Sequence, residues 1–264
     1  MEWPNNILKL SEKEQLEYFY QEDAVIILIY NRLCGGLSRL FDIITYCGYD
    51  IERYIKNYYE WTIPNNYWLS STLFFKMIDD NLKEIGDEKL LSMKENNKKR
   101  YDDFLKFIEK HGYADGAFDY EKVIQNGSVK RLLISAERLF LLDNSLINPN
   151  NYKNNDYSYL ILNFVKSLER YLFYKLNILG LIGENEKSKL TFKDLSDRIV
   201  KYAKENTNDA PKELLDCYER LLNSFRQYYR NGYFHRDILS RKNASITIEL
   251  STILMVLTHF IIDC

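Results

Sequence analysis

Proline is scarce in this chain, and its scarcity constrains the fold more than any other feature of the sequence. Among 264 residues only Pro4, Pro64, Pro149 and Pro211 occur. Between them, apolar residues mostly recur at spacings of three and four, the period of an amphipathic helix, and no alternating strand pattern persists. Because proline breaks helices, such long uninterrupted segments predict an all-α chain.

The first helix is predicted from a capping signal and a glycine stop. Ser11 and Glu14 have the spacing of a capping box, and the helix is expected to stop at Gly35 and Gly36, since glycine commonly ends helices. The run Val25–Ile29 is rich in β-branched residues and would also suit a strand, but its helical flanks favour a core helix.

Further helices and one linker are predicted along the rest of the chain. The stretch 144–156 is rich in asparagine and contains Pro149, which is typical of a linker. It divides the chain into an N-terminal helical domain of unknown role, 1–145, and a four-helix domain, 156–264, whose helices are expected to form an antiparallel bundle. The predicted helices are Tyr67–Ile85, Glu88–Lys110, Ser128–Asp143, Tyr157–Leu179, Thr191–Glu205 (with Thr191 and Asp194 as an N-cap pair), Lys212–Tyr233 and Ser245–Ile262.

Composition and charge exclude several classes of protein. The formal net charge of -2 gives no global basic field, so any nucleic-acid contact must come from a local patch. Four scattered cysteines without C-x-x-C spacing and only three histidines predict no metal site, and no cofactor is expected. The N-terminus lacks the pattern of a signal peptide, and the apolar stretch Leu250–Ile262 is shorter than the ~20 residues of a membrane span. We therefore expect a cytoplasmic protein without a membrane segment.

One short string carries residues suited to chemistry on RNA. On a helix, Asn231 and His235 lie four residues apart on the same face, and Arg230 lies about 100° round from Asn231. Histidine transfers protons near neutral pH, and arginine holds phosphate bidentately. RNA supplies its own nucleophile in the 2′-hydroxyl, so a protein needs only positioning, proton transfer and charge. Arg230, Asn231 and His235 are the candidate catalytic residues, and no metal is required.

The surroundings of this string are locally basic and aromatic. From residue 226 to 242 there are five basic residues and one acidic residue, and aromatic rings interleave them, as in surfaces that bind phosphates and stack bases. The predicted RNA-binding residues are Arg226, Tyr233 and Arg236. Because tyrosine is abundant throughout the chain, with 22 copies, many of these rings are expected to face the core instead.

The C-terminal part of the chain resembles the HEPN superfamily of ribonucleases and toxins. The resemblance covers about residues 156 to 263 and rests on the Arg230-Asn231-x-x-x-His235 motif, on the early helix Phe164–Phe173 with Glu169, and on the helix start Leu190–Leu195. It implies metal-independent RNA cleavage that leaves a 2′,3′-cyclic phosphate. It also implies a homodimer in which two copies of the motif form a composite site. A toxin or antiviral defence effector with an antitoxin or defence-system partner is the corresponding role.

Two alternatives stay open at the level of sequence. His235 is also suited to a structural place at a helix end, where its charge interacts favourably with the helix dipole, and Arg230 to a surface salt bridge. The chain as a whole is then a non-catalytic HEPN-like module that binds RNA, nucleotide or a partner protein.

Overall fold

The described part of the chain is helical. The computed structural model describes residues 22–50, 53, 87–110, 119–146, 157–186, 189–207, 209–226 and 241–263. No strand occurs among these residues, which confirms the all-α prediction for this part of the chain. The HEPN-like form of the bundle stays a prediction. The helices are α1 Glu22–Cys47, α2 Asp87–Lys110, α3 Tyr120–Ile124, α4 Gly127–Leu146, α5 Ser158–Ile178, α6 Phe192–Asn206, α7 Lys212–Ser224 and α8 Arg241–Ile262, with a short 3₁₀ turn at Glu184–Glu186.

Most helix predictions that fall within the described residues are confirmed to within a few residues. Thr191 caps α6, and its hydroxyl and backbone form a reciprocal capping box with Asp194. The Val25–Ile29 run is helical, with Val25 and Ile29 buried. The predicted helix Tyr67–Ile85 and the start of the first helix at Ser11 lie outside the described residues.

The predicted stop at Gly35 and Gly36 is wrong, because α1 continues through both glycines to Cys47. The reason lies in tertiary packing. A β-carbon on Gly36 would lie 2.8 Å from Cγ2 of Thr252 and 3.4 Å from the Thr252 carbonyl carbon. Gly36 therefore marks the point where α1 and α8 approach closely. The absence of a side chain at Gly36 allows the two helices to pack there and does not end α1.

Replacing Gly36 with alanine is expected to lower the free energy of unfolding. Overpacking a core costs about 1–3 kcal/mol, which exceeds the roughly 1 kcal/mol that alanine gains over glycine within a helix. Thr252 is buried and β-branched, so it has little freedom to move aside. Gly127→Ala is the matched control, because a β-carbon there meets nothing within 4 Å. Denaturant unfolding measures both variants, and a Gly36→Ala protein as stable as wild type would contradict the account.

Helix α8 lies at the centre of the fold. Its residues from 246 to 262 are all buried, so the helix is enclosed on every side. It contacts α1, α3, α5 and α7. The remaining helices pack around this centre: α2 and α4 lie on α1, α4 also packs on α5, and α6 bridges α5 and α7.

Helices from both sides of the predicted linker belong to one hydrophobic cluster. Phe104 of α2 packs edge-on against Phe260 of α8, with ring centroids 6.3 Å apart. Arg32 of α1 lies over the Phe164 ring of α5 at 4.9 Å. Helix α4 extends to Leu146, and residues 147–156 lie outside the described residues, so the division at 144–156 stays a prediction. No helix in the described part of the chain has the length and hydropathy needed to cross a membrane.

Candidate functional site

Helix α7 ends at Ser224, six residues before Arg230 in the sequence. Its buried side chains recur at spacings of three and four, which places one apolar face against α6 and α8. Tyr218 reaches α8 through a hydrogen bond of 2.7 Å between its hydroxyl and that of Thr258. The part of the chain that precedes the motif is thus fixed in the core.

The motif itself lies beyond the described part of α7. The predicted catalytic residues Arg230, Asn231 and His235, and the predicted RNA-binding residues Tyr233 and Arg236, all fall within 227–240, outside the described residues. Their roles stay predictions. Of the predicted site residues, Arg226 has a described position.

The end of α7 is anchored on α6. At residues 225–226 the helix widens from α to π geometry, a local change that is often found near functional sites. Phe225 is fully buried, and its ring centroid lies 5.9 Å from that of Phe192 in the first turn of α6. One residue later, Nη1 of Arg226 lies 3.8 Å from Oδ1 of Asp197. A buried ring contact and an exposed ion pair together hold the residues from which the motif departs.

An open groove of about 410 Å³ runs between α6 and α7 beside this anchor. Asp197 lines the groove together with Lys201, Lys204 and Glu219. Lys204 Nζ lies 2.5 Å from Glu219 Oε2 and bridges the two helices. Three acidic side chains, of Asp197, Glu205 and Glu219, and two basic ones line the groove, so it has no strong excess of either charge.

A second polar cluster lies at the C-terminal ends of α5 and α8, and sequence reasoning did not predict it. Both carboxylate oxygens of Asp263 accept hydrogen bonds from Lys175 Nζ, at 2.6 and 2.5 Å. Nδ1 of His259 lies 2.5 Å from Asp263 Oδ2, and His259 is fully buried. His259 thus lies in the core, in the last turn of α8. The cluster ties the last turn of α8 to α5.

The pKa of the Asp263 carboxyl should make this tie sensitive to acid. Burial raises this pKa, but the hydrogen bonds from His259 and Lys175 and the charge of Lys175 outweigh burial, so the pKa lies below its ordinary value. A lowered carboxyl pKa contributes stability above the unfolded value of about 3.9, and this contribution is lost as the pH falls through the folded value.

We therefore expect Asp263→Asn to destabilise the protein at pH 7 and to flatten the pH dependence below about pH 4. The loss at neutral pH should be roughly 1.5–3 kcal/mol, the usual contribution of a hydrogen bond to a charged group. Urea unfolding at several pH values measures it. Parallel curves for the variant and the wild type would show that Asp263 does not carry this dependence.

Two of the three described cysteines, Cys47 and Cys217, are buried and are poor candidates for nucleophiles. Burial raises the pKa of Cys47 to about 11 and that of Cys217 to about 12, so both thiols stay protonated at neutral pH. No group of three or more histidine, cysteine, aspartate or glutamate side chains within the described residues is arranged to hold a metal ion.

Comparison with known proteins leaves the family open. No protein-family model, no curated protein and no solved structure matches the chain. The resemblance to HEPN proteins thus rests on the motif residues and on the predicted helical context.

Proposed function

We propose that the chain is a metal-independent endoribonuclease of the HEPN type. The observation that supports this most is the position of the motif. The string Arg230-Asn231-x-x-x-His235 begins six residues after Ser224, the last residue of α7, and α7 is an amphipathic helix packed against α6 and α8. The sequence predicts that this helix continues to Tyr233, which would place Arg230 and Asn231 on a rigid element, as a catalytic constellation needs.

In the proposed mechanism the protein activates the nucleophile that RNA carries. His235 takes the proton of the 2′-hydroxyl or gives one to the leaving 5′-oxygen. Arg230 binds the phosphate and stabilises the negative charge that develops on it, and Asn231 orients one of these groups. The 2′-oxygen forms a bond to phosphorus as the bond to the 5′-oxygen breaks, leaving a 2′,3′-cyclic phosphate and a 5′-hydroxyl.

A homodimer completes this proposal. The single motif histidine of each chain supplies one base, whereas in-line displacement benefits from an acid on the opposite side of the phosphorus. Two chains related by a two-fold axis supply both groups. A toxin or defence effector controlled by an antitoxin or another defence component is the biological role that fits an RNA-degrading protein of this type.

The alternative function is a non-catalytic module that binds RNA, nucleotide or a partner protein. Arg226, the predicted RNA-binding residue with a described position, pairs with Asp197. If the motif arginine were engaged in the same way, the chain would bind without turnover.

Metal-free incubation with RNA separates the two functions. In buffer with excess EDTA, the wild-type protein is expected to cleave single-stranded RNA and to leave 2′,3′-cyclic phosphate and 5′-hydroxyl ends, because neither proposed group needs a metal. His235→Ala, purified in the same way, controls for contaminating ribonuclease. Binding without cleavage would support the module, and cleavage abolished by EDTA would contradict the proposed chemistry.

A further inference from the structure

Arg226 has a weak partner in the structure. A single approach joins it to Asp197, at 3.8 Å between Nη1 and Oδ1, and this exceeds the ~3.2 Å limit of a good N–H···O hydrogen bond. The Arg226 side chain is 26% exposed and the Asp197 side chain is 56% exposed. An ion pair with this geometry and exposure contributes about 0.2–1 kcal/mol, so a better ligand can replace it.

The position of the Arg226–Asp197 pair indicates which ligand could replace Asp197. Arg226 lies four residues before Arg230 in the sequence, and Asp197 lines the open groove between α6 and α7. Four residues of chain span at most about 14 Å, so an RNA strand bound at Arg230 passes near Arg226. The phosphates of RNA accept two parallel N–H···O bonds from a guanidinium, a stronger arrangement than the single approach to Asp197.

We propose that Asp197 acts as an internal competitor for RNA, pairing with Arg226 in the free protein and giving way to a backbone phosphate on binding. The inference rests on the proposed function, since it concerns the same RNA. It adds a residue, Asp197, that neither the motif nor the resemblance points to. Removing its charge should strengthen RNA binding, and the gain should depend on Arg226.

Binding of a non-cleavable probe tests this. A fluorescent, fully 2′-O-methylated single-stranded oligonucleotide presents the phosphates without a reactive 2′-hydroxyl, and anisotropy gives its Kd in low-salt buffer with EDTA. Asp197→Asn is expected to bind it about two- to five-fold more tightly, the fold-change that corresponds to ~0.4–1 kcal/mol. Arg226→Ala is expected to bind more weakly, and Asp197→Asn added to Arg226→Ala should give no further gain.

A matched control separates this effect from the general loss of a negative charge. Glu219→Gln removes a carboxylate from the same groove, but that carboxylate pairs with Lys204 and not with Arg226. Its Kd should equal that of the wild type. In cleavage assays Asp197→Asn should lower KM and leave kcat unchanged, a split that damage to the fold would not produce.

Three results would overturn the inference. The first is an unchanged Kd for Asp197→Asn. The second is a gain of equal size in the Arg226→Ala background or in Glu219→Gln, which would reveal a general effect of charge. In both of these the wild type still binds or cleaves RNA, so the proposed function survives. A wild-type protein that neither binds nor cleaves RNA would refute the proposed function and the inference together.

Discussion

Replacing His235 with alanine is expected to slow RNA cleavage by about 10²–10⁴-fold, the usual contribution of a positioned general acid or base. The loss should appear in kcat, since the imidazole transfers a proton in the chemical step and does not contribute to the binding of RNA. Single-turnover rates in EDTA measure it directly. His111→Ala is the matched control, because this histidine lies far from the motif in the sequence and has no arginine five to seven residues before it.

Arg230→Lys should also fail, for a different reason. An ammonium keeps the positive charge but loses the planar fork that binds two phosphate oxygens at once. Full activity in His235→Ala, or in Arg230→Lys, would remove that residue from the mechanism.

The largest effect on stability is expected at Glu137. Its Oε2 accepts a hydrogen bond of 2.9 Å from Nη2 of Arg32. Its Oε1 accepts a second, shorter one from Nε of the same guanidinium. The side chains are 10% and 2% exposed, and the guanidinium lies over the Phe164 ring. Glu137→Ala leaves this buried cation without its main counter-charge, so the free energy of unfolding should fall by about 3–5 kcal/mol.

Two further variants make the Glu137 prediction specific. Glu205→Ala removes an acid from the exposed pair with Lys201, 3.9 Å apart, and should change stability by less than about 0.5 kcal/mol. Arg32→Met combined with Glu137→Leu removes both buried charges and should recover most of the loss, since apolar replacement of a whole buried pair is often neutral. A loss below about 1 kcal/mol for Glu137→Ala, measured by denaturant unfolding, would contradict the account.

Local patterns predicted the described helices well, because the period of apolar residues reports directly on which face is buried. The capping pair of Thr191 and Asp194 was also predicted, because both partners lie within one helical turn and are therefore visible in the local sequence. Gly36 was misinterpreted because its role depends on Thr252 of α8, which no local pattern reveals. Propensity favours a helix end at paired glycines, and tertiary packing overrides it.

The polar contacts were beyond sequence reasoning for a similar reason. Arg32 and Glu137 are 105 residues apart, and Lys175 and Asp263 are 88 residues apart. In the sequence, each of these charged residues could equally lie on a solvent-exposed helix face. Only the packing of the helices shows which residues pair. The candidate site differs, because Arg230, Asn231 and His235 form a short string whose chemistry is visible in the sequence. The partner of Arg226 on α6 depended on the fold.

The most direct test of the proposed chemistry is the fate of an RNA whose nucleophile is missing. Once the cleavage position is mapped, two oligonucleotides are compared in EDTA, identical except for a single 2′-deoxy nucleotide on the 5′ side of the cleaved bond. The account predicts that the all-ribose oligonucleotide is cut and that the deoxy oligonucleotide resists cleavage at that bond, because the attacking oxygen is absent. Cleavage of both at the same rate would show that water or another group attacks the phosphorus, and would contradict the mechanism assigned to Arg230 and His235.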